Sequence, residues 1–118
     1  MVKSPRAPMG LSTGARAALT SVSKALSSEV ARHNVTINNI LPERINTGRQ
    51  QFMAKMQAER ENISIDEAYA RIAETIAAKR LGTPEEFGDA YAFLCSAQAG
   101  FISGQNLQLD GGSYDGLI

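Results

Sequence analysis

Apolar residues recur every three or four positions in the first third of the chain, which predicts a helix over residues 12–32. A side-chain oxygen of Ser12 or Thr13 can cap its start. Several alanines give the helix a thin profile, so another helix can approach it closely. The positions that form its apolar face are Ala15, Leu19, Val22, Leu26 and Val30.

Two short segments have the composition of β-strands. Residues 35–41 are rich in β-branched side chains and are followed by Pro42. Residues 105–109 alternate polar and apolar positions and end at Asp110-Gly111-Gly112, where glycine tolerates unusual backbone angles. A helix, a short turn and a buried strand in this order make half of a βαβ unit, so the pattern predicts an α/β fold.

Three further helices are predicted between the two strands, over residues 51–61, 66–78 and 83–96. Ser64 and Glu67 have the spacing of a capping box, in which each side chain accepts from the other residue's backbone amide. Thr83-Pro84-Glu85-Glu86 combines an N-cap, a proline at the first helical position and two carboxylates at the positive end of the helix dipole. The first two of these helices form either a mobile cover over a ligand or an amphipathic insertion.

Composition excludes several classes of function. Twelve basic and twelve acidic residues among 118 give a formal net charge of zero, which argues against a nucleic-acid or anionic-membrane partner. His33 is the only histidine and Cys95 the only cysteine, so neither a metal site built on these residues nor an intrachain disulfide is expected. We expect Cys95 to be buried in a helix, and the protein to reside in a reducing cytoplasm.

Four segments, in order and with matching spacing, resemble the second half of short-chain dehydrogenases/reductases, including 3-oxoacyl-reductase-like members. The resemblance covers essentially the whole chain but less than half of a family chain. It implies the C-terminal part of a Rossmann-type doubly wound parallel sheet, with about two strands and four helices in one partial domain, 1–118. The four segments begin at Arg16-Ala17-Ala18-Leu19, Asn34-Val35-Thr36-Ile37-Asn38, Arg80-Leu81-Gly82-Thr83 and Ile102-Ser103-Gly104-Gln105.

The resemblance also implies a function: hydride transfer between NAD or NADP and a small-molecule carbonyl or alcohol. Residues 43–80 would be the substrate loop or lid. The cofactor-binding residues would be Arg16, Pro42, Ile45 and Thr47, and the catalytic positions would be Ser12 and Arg16.

Two family positions are chemically altered. Counting back from the strand at 35–41 places Ser12 on the family's catalytic Tyr and Arg16 on its Lys. A Ser hydroxyl is a much weaker acid than a phenol, and a guanidinium holds its proton, although its planar fork can still bind ribose hydroxyls. Glu43 stands where the family usually has Gly. Each of these residues also has a purely structural interpretation: a helix cap for Ser12, an exposed or ion-paired residue for Arg16, a loop cap for Thr47 and a solvated carboxylate for Glu43.

The family's phosphate-binding glycine turn has no counterpart here, because the chain contains no G-x-G-x-x-G pattern. A two-stranded parallel sheet is also a poor independent unit. We therefore expect the isolated chain to be inactive, and to be unstable, homo-oligomeric or associated with a full-length relative. The alternatives are a non-catalytic interaction module and an active enzyme with unorthodox residues.

Overall fold

A computed structural model of the protein describes residues 2, 3, 5 and 7–117. Two strands pair in parallel, and four α-helices accompany them, which confirms the predicted α/β class. The elements in chain order are α1 (Gly10–Val30), β1 (Asn39–Pro42), α2 (Gly48–Glu61), α3 (Ile65–Glu74), α4 (Pro84–Leu94) and β2 (Asn106–Leu109); single 3-10 turns cover Ala7–Met9, Ala31–His33 and Ala97–Ala99.

The chain divides into two compact units. The first contains the described residues up to Asn39 together with Phe93–Leu107. The second contains Ile40–Ala92 and the described residues from Gln108 onward.

In the first unit, the strand predicted over residues 35–41 begins only at Asn39. Before Asn39, Gly104 N donates to Ile37 O at 2.7 Å, but the neighbouring bonds involve side chains and interrupt a regular backbone ladder. The Asn38 amide donates to Ile102 O at 2.8 Å and accepts from Gln105 N at 3.0 Å. The first backbone rung of β1 follows, where Asn39 N donates to Gln105 O at 2.9 Å.

The side of α1 that is buried is not the side that carries its apolar residues. Thr13 and Ser27 are its buried residues, whereas Leu19 is 63% exposed and Val22 56% exposed. Lys24 Nζ donates to Gly104 O at 3.2 Å, and a β-carbon on Gly104 would lie 2.6 Å from Ser27 Oγ. Small and polar residues thus form the close contact of this helix, and its apolar stripe faces solvent.

In the second unit, α2 and α3 form a helical hairpin with an alanine-rich core. Ala54 and Ala68 are fully buried, and Ala58 and Ile72 are nearly so. Small side chains allow two helices to approach closely. Only half of the predicted capping box forms at α3: Glu67 N donates to Ser64 Oγ at 3.0 Å, but the Glu67 carboxylate accepts from Arg71 at 2.6 Å.

The start of α4 is a complete reciprocal cap. Glu86 N donates to Thr83 Oγ1 at 3.2 Å, and Thr83 N donates to Glu86 Oε2 at 2.8 Å. Two backbone amides that the helix itself leaves unsatisfied are therefore bonded, which fixes where α4 begins.

Several predicted boundaries were wrong. Helix α1 starts at Gly10, so neither Ser12 nor Thr13 caps it; Met9 occupies that position and provides no side-chain bond. Helix α3 ends at Glu74 instead of residue 78, because the Thr75 hydroxyl donates to Ile72 O at 2.7 Å and Lys79 adopts a left-handed conformation.

Cys95 follows α4 and is exposed, contrary to the prediction that it is buried.

Candidate functional site

The two predicted catalytic positions lie on α1, in the first unit. Ser12 is half-buried, and Arg16 lies one turn further along the helix and is exposed. The Arg16 carbonyl accepts from Thr20 Oγ1 at 2.9 Å, but its guanidinium makes no hydrogen bond or ion pair with any residue that the structure describes. Its five donors are therefore available to a ligand.

Next to Ser12 on α1, Thr13 carries a buried hydroxyl without a hydrogen-bond partner among the described atoms. Thr13 is only 5% exposed, and Oγ1 has no hydrogen-bond partner among the described atoms. Threonine in a helix commonly donates to the carbonyl four residues back, as Thr20 does here. The unpartnered hydroxyl of Thr13 was not predicted, because a threonine in the first turn of a helix looks like a cap.

The predicted cofactor loop lies in the second unit, after β1. Ile45 forms an isolated parallel bridge with Gly82, with Asn46 N donating to Gly82 O at 2.8 Å and Gly82 N donating to Arg44 O at 3.1 Å. Pro42 and Thr47 are exposed at the two ends of this loop, and the Thr47 hydroxyl makes no cap bond to α2. The bridge holds the loop in place and leaves that hydroxyl available.

A cleft of about 260 Å³ lies in the second unit, where β1 and β2 end. Ligands of open α/β sheets bind at the carboxyl ends of the strands. Ile45 lines this strand-end cleft, whereas Pro42 and Thr47 do not. Its other lining residues include Ile76, Ala78, Gly82, Gly111 and the charged residues Glu43, Arg80, Glu86 and Asp110.

One ion pair neutralises part of the charge in the strand-end cleft. Arg80 donates to both oxygens of Glu86, at 2.6 and 2.9 Å. These bonds, followed by the bond from the Thr83 amide, lower the pKa of Glu86 to about 2, and the same pairing raises the pKa of Arg80. Glu43 and Asp110 form no salt bridge within the described part of the chain, so the cleft retains negative charge.

Sequence reasoning identified five site residues, and the structure distributes them between the units. Ser12 and Arg16 belong to the first unit, and Pro42, Ile45 and Thr47 to the second. The sequence analysis did not predict that Arg80 and Asp110 line the cleft, although both belong to the segments that support the family resemblance. Within the described residues, no cluster of His, Cys, Asp and Glu could hold a metal ion, and no helix has the length and apolar character needed to cross a bilayer.

Comparison with known proteins agrees with this architecture. Residues 6–114 match the family described as enoyl-(acyl carrier protein) reductase. The chain is 38% identical over 115 residues to the NADPH-dependent reductase BacG of Bacillus subtilis (strain 168), covering 98% of this chain and 44% of that protein. It is 34% identical over 100 residues to the 3-oxoacyl-[acyl-carrier-protein] reductase FabG of Escherichia coli (strain K12), covering 85% and 36%.

A solved structure is similar over the same extent. It is the NADPH-bound short-chain oxidoreductase of Pseudomonas aeruginosa PAO1, which contains an atypical catalytic centre. The TM-score is 0.80 at 25% identity, over 98% of this chain and 43% of that one. The chain thus spans less than half the length of the proteins that it matches. By its sequence and by its fold, it belongs to the short-chain dehydrogenase/reductase family of oxidoreductases, as a 3-oxoacyl-reductase-like member.

Proposed function

We propose that this chain forms the substrate side of an NAD(P)-dependent oxidoreductase that transfers hydride between nicotinamide and a carbonyl or alcohol. The observation that supports this most is that Ser12 and the unpaired Arg16 lie one turn apart on α1, at the positions that the resemblance assigns to the family's catalytic Tyr and Lys. Relatives described as NADPH-dependent, one of them with an atypical catalytic centre, support the choice of cofactor class.

The resemblance assigns residues of this chain only to the nicotinamide end of the dinucleotide. The exposed Arg16 guanidinium can donate to the ribose hydroxyls, and the uncapped Thr47 hydroxyl can bond the carboxamide. The pyrophosphate has no cradle here, and Glu43 introduces a half-buried carboxylate after β1. We therefore infer that the 118-residue chain does not bind NAD or NADP by itself.

The chemistry assigns separate tasks to the two α1 residues. The bound cofactor would supply or accept the hydride. Ser12 can hydrogen-bond the substrate oxygen, but an aliphatic hydroxyl does not release its proton near neutral pH as a positioned phenol can. Arg16 would act by positioning, through the donors of its guanidinium. The proton would then come from another acid or a water chain, and segment 43–80 would cover the substrate.

Titration of the chain with NADPH and NADH, followed by nicotinamide fluorescence, tests the proposed loss of binding. We expect no saturable binding below millimolar cofactor; micromolar binding would contradict the proposal. Adding the nucleotide-binding half of a related reductase should restore binding, and Arg16→Ala should weaken it more than Ser12→Ala. No restoration in any mixture would contradict the assignment of the chain to the substrate side.

A second candidate is an association module, and the solvent-facing stripe of α1 favours it. Leu19, Val22 and Leu26 are 63%, 56% and 44% exposed along about two turns of one helix. Contiguous exposed apolar surface is typical of a protein interface. The chain would then bind itself or a full-length relative, in the cytoplasm, where the exposed thiol of Cys95 stays reduced. Sedimentation of the chain as a strict monomer that melts cooperatively would contradict this candidate.

A further inference from the structure

The chain contains two Asp-Gly pairs, and the structure places them in different surroundings. Asp110-Gly111 follows β2 directly, and Asp115-Gly116 comes shortly after it. Both pairs belong to the second unit, and no asparagine in the sequence is followed by glycine. Because the two pairs have the same chemistry, any difference in their reactivity must come from the structure around them.

An aspartate that precedes a glycine can rearrange without an enzyme. The amide nitrogen of the glycine attacks the side-chain carboxyl carbon to form a cyclic succinimide, and the N–H proton and the carboxyl OH leave as water. Water then opens the ring at either carbonyl carbon, which gives aspartate or isoaspartate. Glycine favours the first step because it has no side chain beside the nitrogen and few backbone restrictions. The step therefore needs a free carboxyl group and a backbone that can rotate.

The turn after β2 holds Asp110 in a conformation that opposes this step. Asp110 Oδ1 accepts from Gly112 N at 3.0 Å, so the carboxylate is engaged by the amide that follows the attacking one. Ser113 N donates to Asp110 O at 3.3 Å, and Gly111 O accepts from Ala78 N at 2.9 Å. Rotation at Asp110 therefore requires several hydrogen bonds to break together.

Asp115 has none of these constraints. Asp115 and Gly116 are exposed, and neither makes a hydrogen bond or ion pair with any residue that the structure describes. Residues 113–117 belong to no helix, strand or turn. The ring of Tyr114 occupies the space that a β-carbon on Gly116 would need, so this position favours the residue that least obstructs the attack.

We propose that Asp115 is a site of spontaneous isomerisation to isoaspartate in the folded chain, and that the turn after β2 protects Asp110 from the same reaction. The product keeps the mass of the parent chain, because the water released on ring closure is returned on ring opening. Its backbone is longer by one methylene next to the ring of Tyr114. The reaction uses no cofactor or metal, so the inference is independent of the proposed hydride transfer.

Incubation of the 118-residue chain at neutral pH in water enriched in oxygen-18 tests the inference. Opening of a succinimide places one heavy oxygen in the residue, and the endoproteinase that cleaves before aspartate does not cleave before isoaspartate. Peptide mass spectrometry therefore distinguishes the two sites. We expect isoaspartate to form at Asp115 at least about ten times faster than at Asp110, because the turn must open first. In urea, the two sites should react at similar rates.

Substitutions at the reactive position provide the matched controls. Asp115→Glu should abolish the reaction at this site and leave Asp110 unchanged, because the longer side chain would have to close a larger ring that forms more slowly. Asp115→Asn should accelerate it, because an amide releases ammonia more readily than a carboxylate releases hydroxide. Equal rates at Asp110 and Asp115 in native buffer, or no isoaspartate at Asp115, would overturn the inference.

Discussion

Gly111 and Ile76 approach so closely that a β-carbon on Gly111 would lie 2.8 Å from Ile76 Cγ2. Gly111 also has a φ of 63°, and its carbonyl accepts from Ala78 N at 2.9 Å. The end of β2 therefore depends on glycine for both backbone conformation and space.

Gly111→Ala should destabilise the chain by about 1–3 kcal/mol, because it adds left-handed strain and a clash with Ile76. Urea denaturation measures the change. Gly88→Ala, in α4 where nothing lies within 4 Å of a β-carbon, is the control and should stabilise by about 0.5–1 kcal/mol. Equal effects of the two substitutions would contradict this account.

The pairing of Arg80 with Glu86 predicts an acid-dependent loss of stability. The pKa of Glu86 falls from 4.5 to about 2 on folding. The contribution of this depressed pKa is fully present above pH 4.5 and is lost as the pH falls through 4.5 toward 2. Carboxyl-detected NMR titration should show Glu86 ionised at pH 3, and Glu86→Gln should flatten stability over that interval. A normal titration near pH 4.5 would show that the pair does not form in solution.

The alanine core of the α2–α3 hairpin predicts intolerance to larger residues. Ala54 is fully buried between the helices, so Ala54→Leu should destabilise the chain by about 1–3 kcal/mol through overpacking. Ala70→Leu, at an exposed position of α3, is the matched control and should stay within about 0.5 kcal/mol of the parent chain. Thermal unfolding of the two variants makes the comparison, and a tolerated Ala54→Leu would show that the helices separate easily.

The solvent-facing stripe of α1 predicts self-association that one charge can abolish. Val22→Lys places an ammonium in the centre of the stripe and should convert any dimer to monomer in sedimentation velocity. Ser21→Lys adds the same charge one residue earlier, at an exposed position beside the stripe, and should leave the assembly intact. Identical sedimentation of both variants and the parent chain would show that α1 is not an interface.

Patterns within a few residues predicted the elements but not their partners. The order of helices and strands followed from apolar spacing, and Thr83 was correctly predicted to cap α4. The same spacing on α1 placed Leu19 and Val22 on one apolar face, and the structure exposes both side chains. Periodicity indicates which side chains share a face, but not which face meets the remainder of the protein.

The candidate site was predictable only where chemistry is local. The spacing of Ser12 and Arg16 is fixed by one helical turn, so their relationship was evident from the sequence. The cleft combines residues from the loop after β1, the segment after α3, the first turn of α4 and the end of β2. Its Arg80–Glu86 pair depends on a turn whose shape the sequence does not specify. Glu67 shows the same limit, because Arg71 competes for the carboxylate that the capping motif required.

The side-chain amide of Asn38 aligns two segments of the chain through two hydrogen bonds. Its nitrogen and oxygen engage Ile102 O and Gln105 N, two backbone groups three residues apart on the opposing segment. A slip of one residue would break both bonds together, whereas aspartate could only accept and leucine could do neither. One carboxamide thus reinforces the register next to two backbone bonds between the same segments, from Gly104 N to Ile37 O and from Asn39 N to Gln105 O.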